Sequence, residues 1–342
     1  MLKKLAIAMC AGLMSAALAA EAAMAQTVEE FYKGKTVTFV VPFSPGGTSS
    51  RFSDLFSRHF GKHIPGQPNI QLEYMPGGGG LVALNYAYAQ APKDGSVFFL
   101  PDSSLAINQL LNPEGARYDA REFGWIGVPS QVKTVLMIRP DSGVDSVDGL
   151  KEKEVFIGST GAGSETDMYP RLTNQLIGTK MNVIPGYEGG SQVMVALEAK
   201  EVGGAARTWT AWASRKDLLD NNTIKPVLVY ANSRLSALPD VPILGELVEN
   251  PDDKKIVELM GSTGTLGYGL GVPPGVPAEY LTALRKAFDD MIADEAYIKD
   301  ATDSGLILDS PLSGDEAAAF VEQVLSTSPE LVERAKKLVA VE

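Results

Sequence analysis

One local pattern recurs along the chain: an apolar segment leads into a loop rich in Gly, Ser and Thr, and a helical stretch follows. The loops lie at 44–50, 77–80 and 159–164. The segment before the first loop, TVTFVVPF at 36–43, is β-branched and apolar, which is typical of a strand buried on both faces of a parallel sheet. The repeated pattern predicts an α/β fold with its loops at the carboxyl ends of the strands.

The same reasoning predicts two α/β units along the chain. Further strands are expected at 70–74, 96–100, 125–129, 135–140, 155–159, 181–185, 226–231 and 266–273. Helices are expected to end near 62 and 91 and to span 165–177, 191–199, 277–294, 295–304 and 315–338. No flexible linker separates the units, which favours two lobes joined by crossover strands. We expect one lobe at 26–125 plus 235–342 and the other at 126–234.

Residues 1–25 have the features of a secretory signal peptide. Lys3 and Lys4 precede the apolar run 5–20, and Ala23-Met24-Ala25 is an A-x-A cleavage site. The run is shorter than the ~20 residues of a membrane span, and no later segment reaches that length. The sequence therefore predicts a periplasmic protein cleaved near Ala25. The only cysteine, Cys10, is removed with the signal peptide, so no disulfide is expected.

The formal net charge of −12 restricts the class of ligand. A chain with no surplus of Lys and Arg has little to neutralise phosphates, which argues against nucleic acid and anionic lipid surfaces. A small anion can still bind locally. Each Gly/Ser/Thr loop places free backbone N–H groups and the positive end of a helix dipole at a sheet edge, which suits an anion.

Cations are scarce in these loops, where Arg51 is the only one within or beside them. We therefore expect a bound acid to be held mainly by backbone N–H groups. Complete loss of binding in a folded Arg207→Ala or Arg51→Ala variant would contradict that expectation.

Enzymatic patterns are incomplete. No Walker lysine or G-x-G-x-x-G supports a nucleotide, and no G-x-S-x-G supports a serine hydrolase. The S-x-x-K match at 130–133 has no S-D-N or K-T-G partner. His59 and His63 have metal-ligand spacing without a neighbouring general base, and we interpret them as solvent-exposed helix residues. We expect no catalysis, no cofactor and no metal.

Six sequence blocks then carry a family resemblance. They are FYKGKTVTFVVPFSPGG (31–47), YMPGGGGLVALNYAYAQAPKDGS (74–96), FIGSTGAGSETD (156–167), VIPGYEGGSQ (183–192), ANSRLSALPDVPILGEL (231–247) and YGLGVPPGVP (268–277). In this order they resemble the Bug family, the extracytoplasmic solute-binding proteins of tripartite tricarboxylate transporters. The resemblance implies a type II-like periplasmic binding protein whose two α/β lobes close on a carboxylate in the cleft between them.

In that family the first loop, here 44–50, holds the carboxylate through backbone amides and waters, and the resemblance implies opposing contacts from 159–166 and 185–192. The chain departs from the family pattern at Ser50, where Asp is common, at Asp167, where His is common, and at Glu188, where Lys is common. The expected ligand-binding residues are Ser44, Gly46, Gly47, Thr48, Ser49, Ser50, Gly79, Ser103, Ser159, Gly161, Ser164, Thr166, Tyr187, Gly189 and Trp209. Trp209 and Trp212 could equally line the cleft or pack a helix onto its sheet.

The predicted function is capture of a small organic acid, a di- or tricarboxylate or an aromatic carboxylate, by a monomeric periplasmic protein. The partners would be the integral-membrane permease subunits of a tripartite tricarboxylate-type transporter. The alternative is a ligand sensor that presents its closed lobes to a membrane sensor kinase.

Overall fold

The computed structural model describes residues 27–340, so the predicted signal peptide lies outside the described residues. The strands are β1 (Thr36–Val41), β2 (Asn69–Tyr74), β3 (Val97–Phe99), β4 (Gly124–Val128), β5 (Thr134–Ile138), β6 (Val155–Gly158), β7 (Met181–Ile184), β8 (Gly204–Thr208), β9 (Lys225–Tyr230), β10 (Leu270–Val272) and β11 (Leu312–Ser313).

The first eight helices are α1 (Val28–Tyr32), α2 (Thr48–His63), α3 (Leu81–Ala89), α4 (Leu105–Leu111), α5 (Val147–Glu152), α6 (Glu165–Ile177), α7 (Gly190–Glu198) and α8 (Trp209–Ala213). They are followed by α9 (Lys216–Asp220), α10 (Leu244–Leu247), α11 (Pro251–Gly261), α12 (Ala278–Ile292), α13 (Glu295–Asp303), α14 (Gly314–Leu325) and α15 (Pro329–Val339). Within residues 27–340, no helix is both long and apolar enough to cross a membrane.

The strands form two sheets, which are the centres of two lobes. The first has the order β11-β4-β10-β3-β1-β2, with β1 parallel to β2 and β3 and with β10 antiparallel to its neighbours. The second has the order β7-β6-β8-β5-β9, with β6 parallel to β7 and β8 and with β5 antiparallel to β8 and β9. The predicted two-lobed α/β architecture is confirmed.

Apolar side chains bury both faces of each sheet. In β1, Val40 packs in one core and Val37, Phe39 and Val41 in another, as expected for a strand covered by helices on both sides. The core that holds Val40 continues into the second sheet, where it includes Leu136 of β5. The two lobes therefore share apolar packing beside their connecting segments.

The chain passes from the first sheet to the second between β4 and β5, at residues 129–133, and leaves the second sheet after β9. We keep the division into 26–125 plus 235–342 and 126–234 as a proposal. The membership of β4 in the first sheet favours placing the first crossing at 129–133.

Two local expectations were wrong, and one strand was missed. The helix expected at 315–338 is two helices, because Ser328 caps a new helix with its side chain and Pro329 occupies the first helical position. The strand expected at 266–273 is limited to Leu270–Val272, since a 3-10 turn precedes it and Gly267 has a positive φ of 39°. Strand β8 was not predicted, because its Gly and Ala residues have low strand propensity.

The two histidines are also not exposed helix residues. His59 is 5% exposed, and its Nε2 lies 2.9 Å from Asp300 Oδ2 on α13. His63 is partly buried, with its Nε2 3.2 Å from Asp294 Oδ2. The prediction failed because α13 packs against α2, a contact between segments far apart in the chain.

Candidate functional site

The strand-end loops of the two lobes face each other across one cavity. Its volume is about 110 Å³. The first lobe contributes residues that follow β1 and β3 and residues that precede β10. The second contributes residues that follow β6 and β7, together with the carboxyl end of β8. Of the residues expected to bind ligand, the cavity is lined by Gly47, Thr48, Ser49, Ser103, Ser164 and Thr166.

The other expected residues do not line this cavity: Ser44, Gly46, Ser50, Gly79, Ser159, Gly161, Tyr187, Gly189 and Trp209. Several of them instead organise the loops. Ser50 Oγ lies 2.8 Å from the Tyr74 hydroxyl, and Ser159 Oγ accepts a 3.1 Å hydrogen bond from the Gly161 N–H.

The burial of the two tryptophans shows whether they line the cleft or pack a helix onto its sheet. Trp212 is fully buried in the core of the second lobe, where its Nε1 donates a 2.9 Å hydrogen bond to the Val135 carbonyl oxygen. Trp209 is half-buried and packs against the edge of the same core. Trp212 is therefore a packing residue.

Three helices begin at the cavity wall. They are α2, α6 and α7, whose first turns contribute Thr48 and Ser49, Glu165 and Thr166, and Gly190. The residues at the three N-cap positions make no side-chain hydrogen bond to the helix. First-turn N–H groups and the positive ends of three helix dipoles are thus directed at one space, which favours an anion.

Contacts between the lobes surround this space. The Ser44 N–H donates to the Glu188 carbonyl oxygen at 3.2 Å, and Ser191 Oγ donates to the Pro45 carbonyl oxygen at 3.1 Å. On another side, Asn108 Nδ2 donates to the Gly163 carbonyl oxygen at 2.9 Å. The two lobes are therefore in a closed arrangement.

The main side chain missing from the expected site is Arg207, which lies near the end of β8 and lines the cavity. Its guanidinium carbon is 5.4 Å from the Trp212 ring centroid. Burial lowers the Arg207 pKa to about 10, and no carboxylate among residues 27–340 forms an ion pair with it. Arg207 is half-buried, and a partly desolvated cation without a protein counter-ion is suited to bind the anionic group of a ligand.

Two carboxyl groups also line the cavity, Asp102 from the first lobe and Glu165 from the second. Burial raises the Asp102 pKa to about 6, against two hydrogen bonds from Ser104 that lower it. Burial and the nearby Asp102 charge raise the Glu165 pKa to about 8. Among residues 27–340, Glu165 Oε1 is buried without a hydrogen-bond partner, while Thr134 Oγ1 donates to its Oε2.

These shifts predict a pH-dependent stability. Between the usual Glu pKa near 4.5 and about 8, the folded state keeps a proton on Glu165 that the unfolded chain has released, so stability falls as pH rises through that window. Glu165→Gln removes this titration. We expect the unfolding free energy of the variant to rise by about 2–4 kcal/mol relative to that of wild type between pH 5 and pH 8, at ~1.4 kcal/mol per pKa unit.

Urea unfolding of wild type and Glu165→Gln at the two pH values measures this difference. Asp102, whose charge contributes to the raised Glu165 pKa, is unchanged in the variant. Glu201→Gln, at an exposed position, is the matched control and should follow wild type at both pH values. Equal pH slopes for wild type and Glu165→Gln would contradict the prediction.

The sequence contained a signal for Arg207 that local pattern analysis did not use. The segment 204–208, GAART, consists of small residues and one charged residue, Arg207. A lone arginine at the end of a buried strand is unusual. It becomes a site residue only because β8 lies in the middle of its sheet, with its carboxyl end at the cavity.

Comparison with known proteins gives a family match. A family model described as "Tripartite tricarboxylate transporter family receptor" matches residues 60–335. A protein from the TAR-I ttuE-ttuC' intergenic region of Agrobacterium vitis is 26% identical over 320 residues, which cover 91% of this chain and 86% of that protein.

Solved structures give a matching fold. The periplasmic binding protein BugD superposes with a TM-score of 0.70 at 20% identity, covering 90% of this chain and 98% of that one. MatC of Rhodopseudomonas palustris with bound malate has a TM-score of 0.68 at 20% identity, covering 90% of this chain and 99% of that one.

Proposed function

Because this chain belongs to the tripartite tricarboxylate transporter receptor family, which consists of periplasmic solute-binding proteins, we propose that it captures a small organic acid in the periplasm and delivers it to membrane permease subunits. The observation that carries the proposal is the convergence of three uncapped helix N-termini and the unpaired Arg207 on one cavity between the lobes. The bound malate of the structurally similar MatC supports the same ligand class.

The chemistry of the site fits binding rather than turnover. Its donors are backbone N–H groups and a guanidinium, which complement a carboxylate without reacting with it. The ligand carboxylate would lie at Arg207 and the first turns of α2 and α7. Signal-peptide cleavage near Ala25 and a monomeric state belong to the same proposal.

Thermal-shift screening tests the ligand class. The probes are mono-, di- and tricarboxylates of three to eight carbons, malate included, with sugars and simple amines as comparison compounds. A ligand that binds only the folded protein raises the melting temperature with concentration. We expect at least one acid to do so, and shifts given by sugars or simple amines alone would contradict the proposal.

Calorimetry of the best acid against its primary amide then tests recognition of charge. Charge-assisted hydrogen bonds contribute about 1.5–3 kcal/mol each, so the amide is expected to bind at least about tenfold more weakly. Near-equal dissociation constants for the acid and the amide would show that the negative charge is not recognised.

A further inference from the structure

The cavity contains two side chains that recognition of a carboxylate leaves unexplained. Asp102 and Glu165 are 6% and 7% exposed, and both line the same space as Arg207. A carboxylate in a cavity built for an anion opposes the ligand's charge. Buried acids usually have a cationic partner, because an uncompensated buried charge is costly.

Neither acid has such a partner among residues 27–340. Asp102 Oδ1 accepts from the Ser104 N–H at 3.0 Å and from the Ser104 hydroxyl, and both donors are uncharged. Glu165 Oε2 accepts from the Thr134 hydroxyl, and its buried Oε1 has no partner. The hydrogen-bonding capacity of Glu165 is therefore incompletely used.

Arg207 and the two acids have different contacts at the cavity wall: Arg207 lies against the Trp212 ring, Asp102 accepts from Ser104, and Glu165 accepts from Thr134. No ion pair joins Arg207 to either acid in the described part of the chain, and the charges that affect its guanidinium are those of Tyr268 and Arg215. Asp102 and Glu165, by contrast, belong to neighbouring segments: the Ser104 hydroxyl beside Asp102 lies 2.9 Å from the Gly163 carbonyl oxygen, two residues before Glu165, and the Asp102 charge raises the Glu165 pKa. The cavity thus has a positive pole at Arg207 and an acidic pole at Asp102 and Glu165. Because burial raises the Asp102 pKa only to about 6 and the Glu165 pKa to about 8, Asp102 carries the negative charge of this pole at neutral pH.

Building on the proposed function, we propose that the ligand is an acid that also carries a protonated amine, with its carboxylate at Arg207 and its ammonium between Asp102 and Glu165. An ammonium group supplies three hydrogen-bond donors and the missing positive charge. A second carboxylate at this pole would be repelled by ionised Asp102, and a hydroxyl group would leave its charge uncompensated.

Matched sets of acids that differ in one substituent test this proposal. Aspartate, malate and succinate form one set, and γ-aminobutyrate, 4-hydroxybutyrate and butyrate form another with a longer spacing. Calorimetry should show, in at least one set, that the amino acid binds ten or more times more tightly than both analogues. Equal or tighter binding of the analogues in both sets would overturn the proposal.

These outcomes separate the proposal from the function on which it rests. If succinate or malate binds and the amino acids do not bind more tightly, the amine pole is wrong and capture of an organic acid stands. If none of the six probes or the wider carboxylate panel binds, the proposed function itself fails.

Two isosteric variants locate the amine pole. Asp102→Asn keeps an acceptor for Ser104, and Glu165→Gln keeps an acceptor for Thr134, so both retain local structure. Asp102→Asn removes the negative charge, and Glu165→Gln removes a carboxyl group that can ionise beside a bound ammonium. Each should reduce the amino-acid preference at least fivefold and leave binding of the unsubstituted acid equal or tighter. Glu201→Gln, exposed and outside the cavity, is the matched control and should keep the wild-type preference. An equal loss of affinity for all three members of a set would show that the two carboxyls only maintain the fold.

Discussion

Arg207→Gln is expected to weaken binding of the best acid by about 100-fold while the protein remains folded. Removing one partner of a buried charged pair costs ~3–5 kcal/mol, and the helix N-termini retain part of the binding energy. Without ligand, the melting temperature should be unchanged or raised, because the variant no longer holds an unpaired, half-buried cation at this position. Calorimetry and thermal unfolding measure the two effects.

Two further substitutions test whether the loss of affinity is specific to the guanidinium of Arg207. Arg207→Lys keeps the charge without the planar pair of donors, and we expect an intermediate loss of about tenfold. Arg51→Gln removes the other cation near the first loop, whose guanidinium donates to the Ser304 carbonyl oxygen within the first lobe, and should change affinity less than threefold. A larger loss from Arg51→Gln than from Arg207→Gln would place the anchor at Arg51 instead.

Gly163→Ala is expected to weaken binding by roughly 10- to 100-fold by opposing lobe closure. Gly163 has a φ of 88°, and a Cβ there would lie no farther than 2.8 Å from three side-chain atoms of Asn108. Asn108 is on α4 in the first lobe and is 1% exposed, so its amide has little room to move. Steric overlap of this kind costs ~1–3 kcal/mol, and it is present only when the lobes are closed.

Gly178→Ala is the control for the backbone strain that alanine has at a positive φ. Gly178 has a φ of 73°, with no atom within 4 Å of an added Cβ, so this variant should lose stability without losing affinity. Adding Asn108→Ala to Gly163→Ala removes the overlapping atoms and should restore part of the affinity. Small-angle scattering with saturating acid should show a larger radius of gyration for Gly163→Ala than for wild type. Equal radii and equal affinities would contradict the role of this contact.

Much of the fold could be predicted because it depends on local patterns. The apolar run at 36–43 and the helix at 165–177 follow from periodicity and from glycine-rich loops, and the helix has the predicted bounds. The elements that were missed have weak local signals. β8 is made of small residues, and the break before Pro329 interrupts an otherwise continuous helical pattern.

The sequence by itself placed Gly47, Thr48, Ser49, Ser164 and Thr166 at one site, because each lies where a strand-end loop passes into a helix, and all five line the cavity. The second-lobe Arg207, Asp102 after β3 and Glu165 on α6 were chosen as site residues by the tertiary structure alone. The surroundings of Glu165 and Arg207 depend on neighbours distant in the chain. Thr134 donates a hydrogen bond to Glu165, and Tyr268 influences the Arg207 pKa. Local sequence patterns place backbone donors, whereas the burial of a charged group and its interactions arise only when segments distant in the chain pack together.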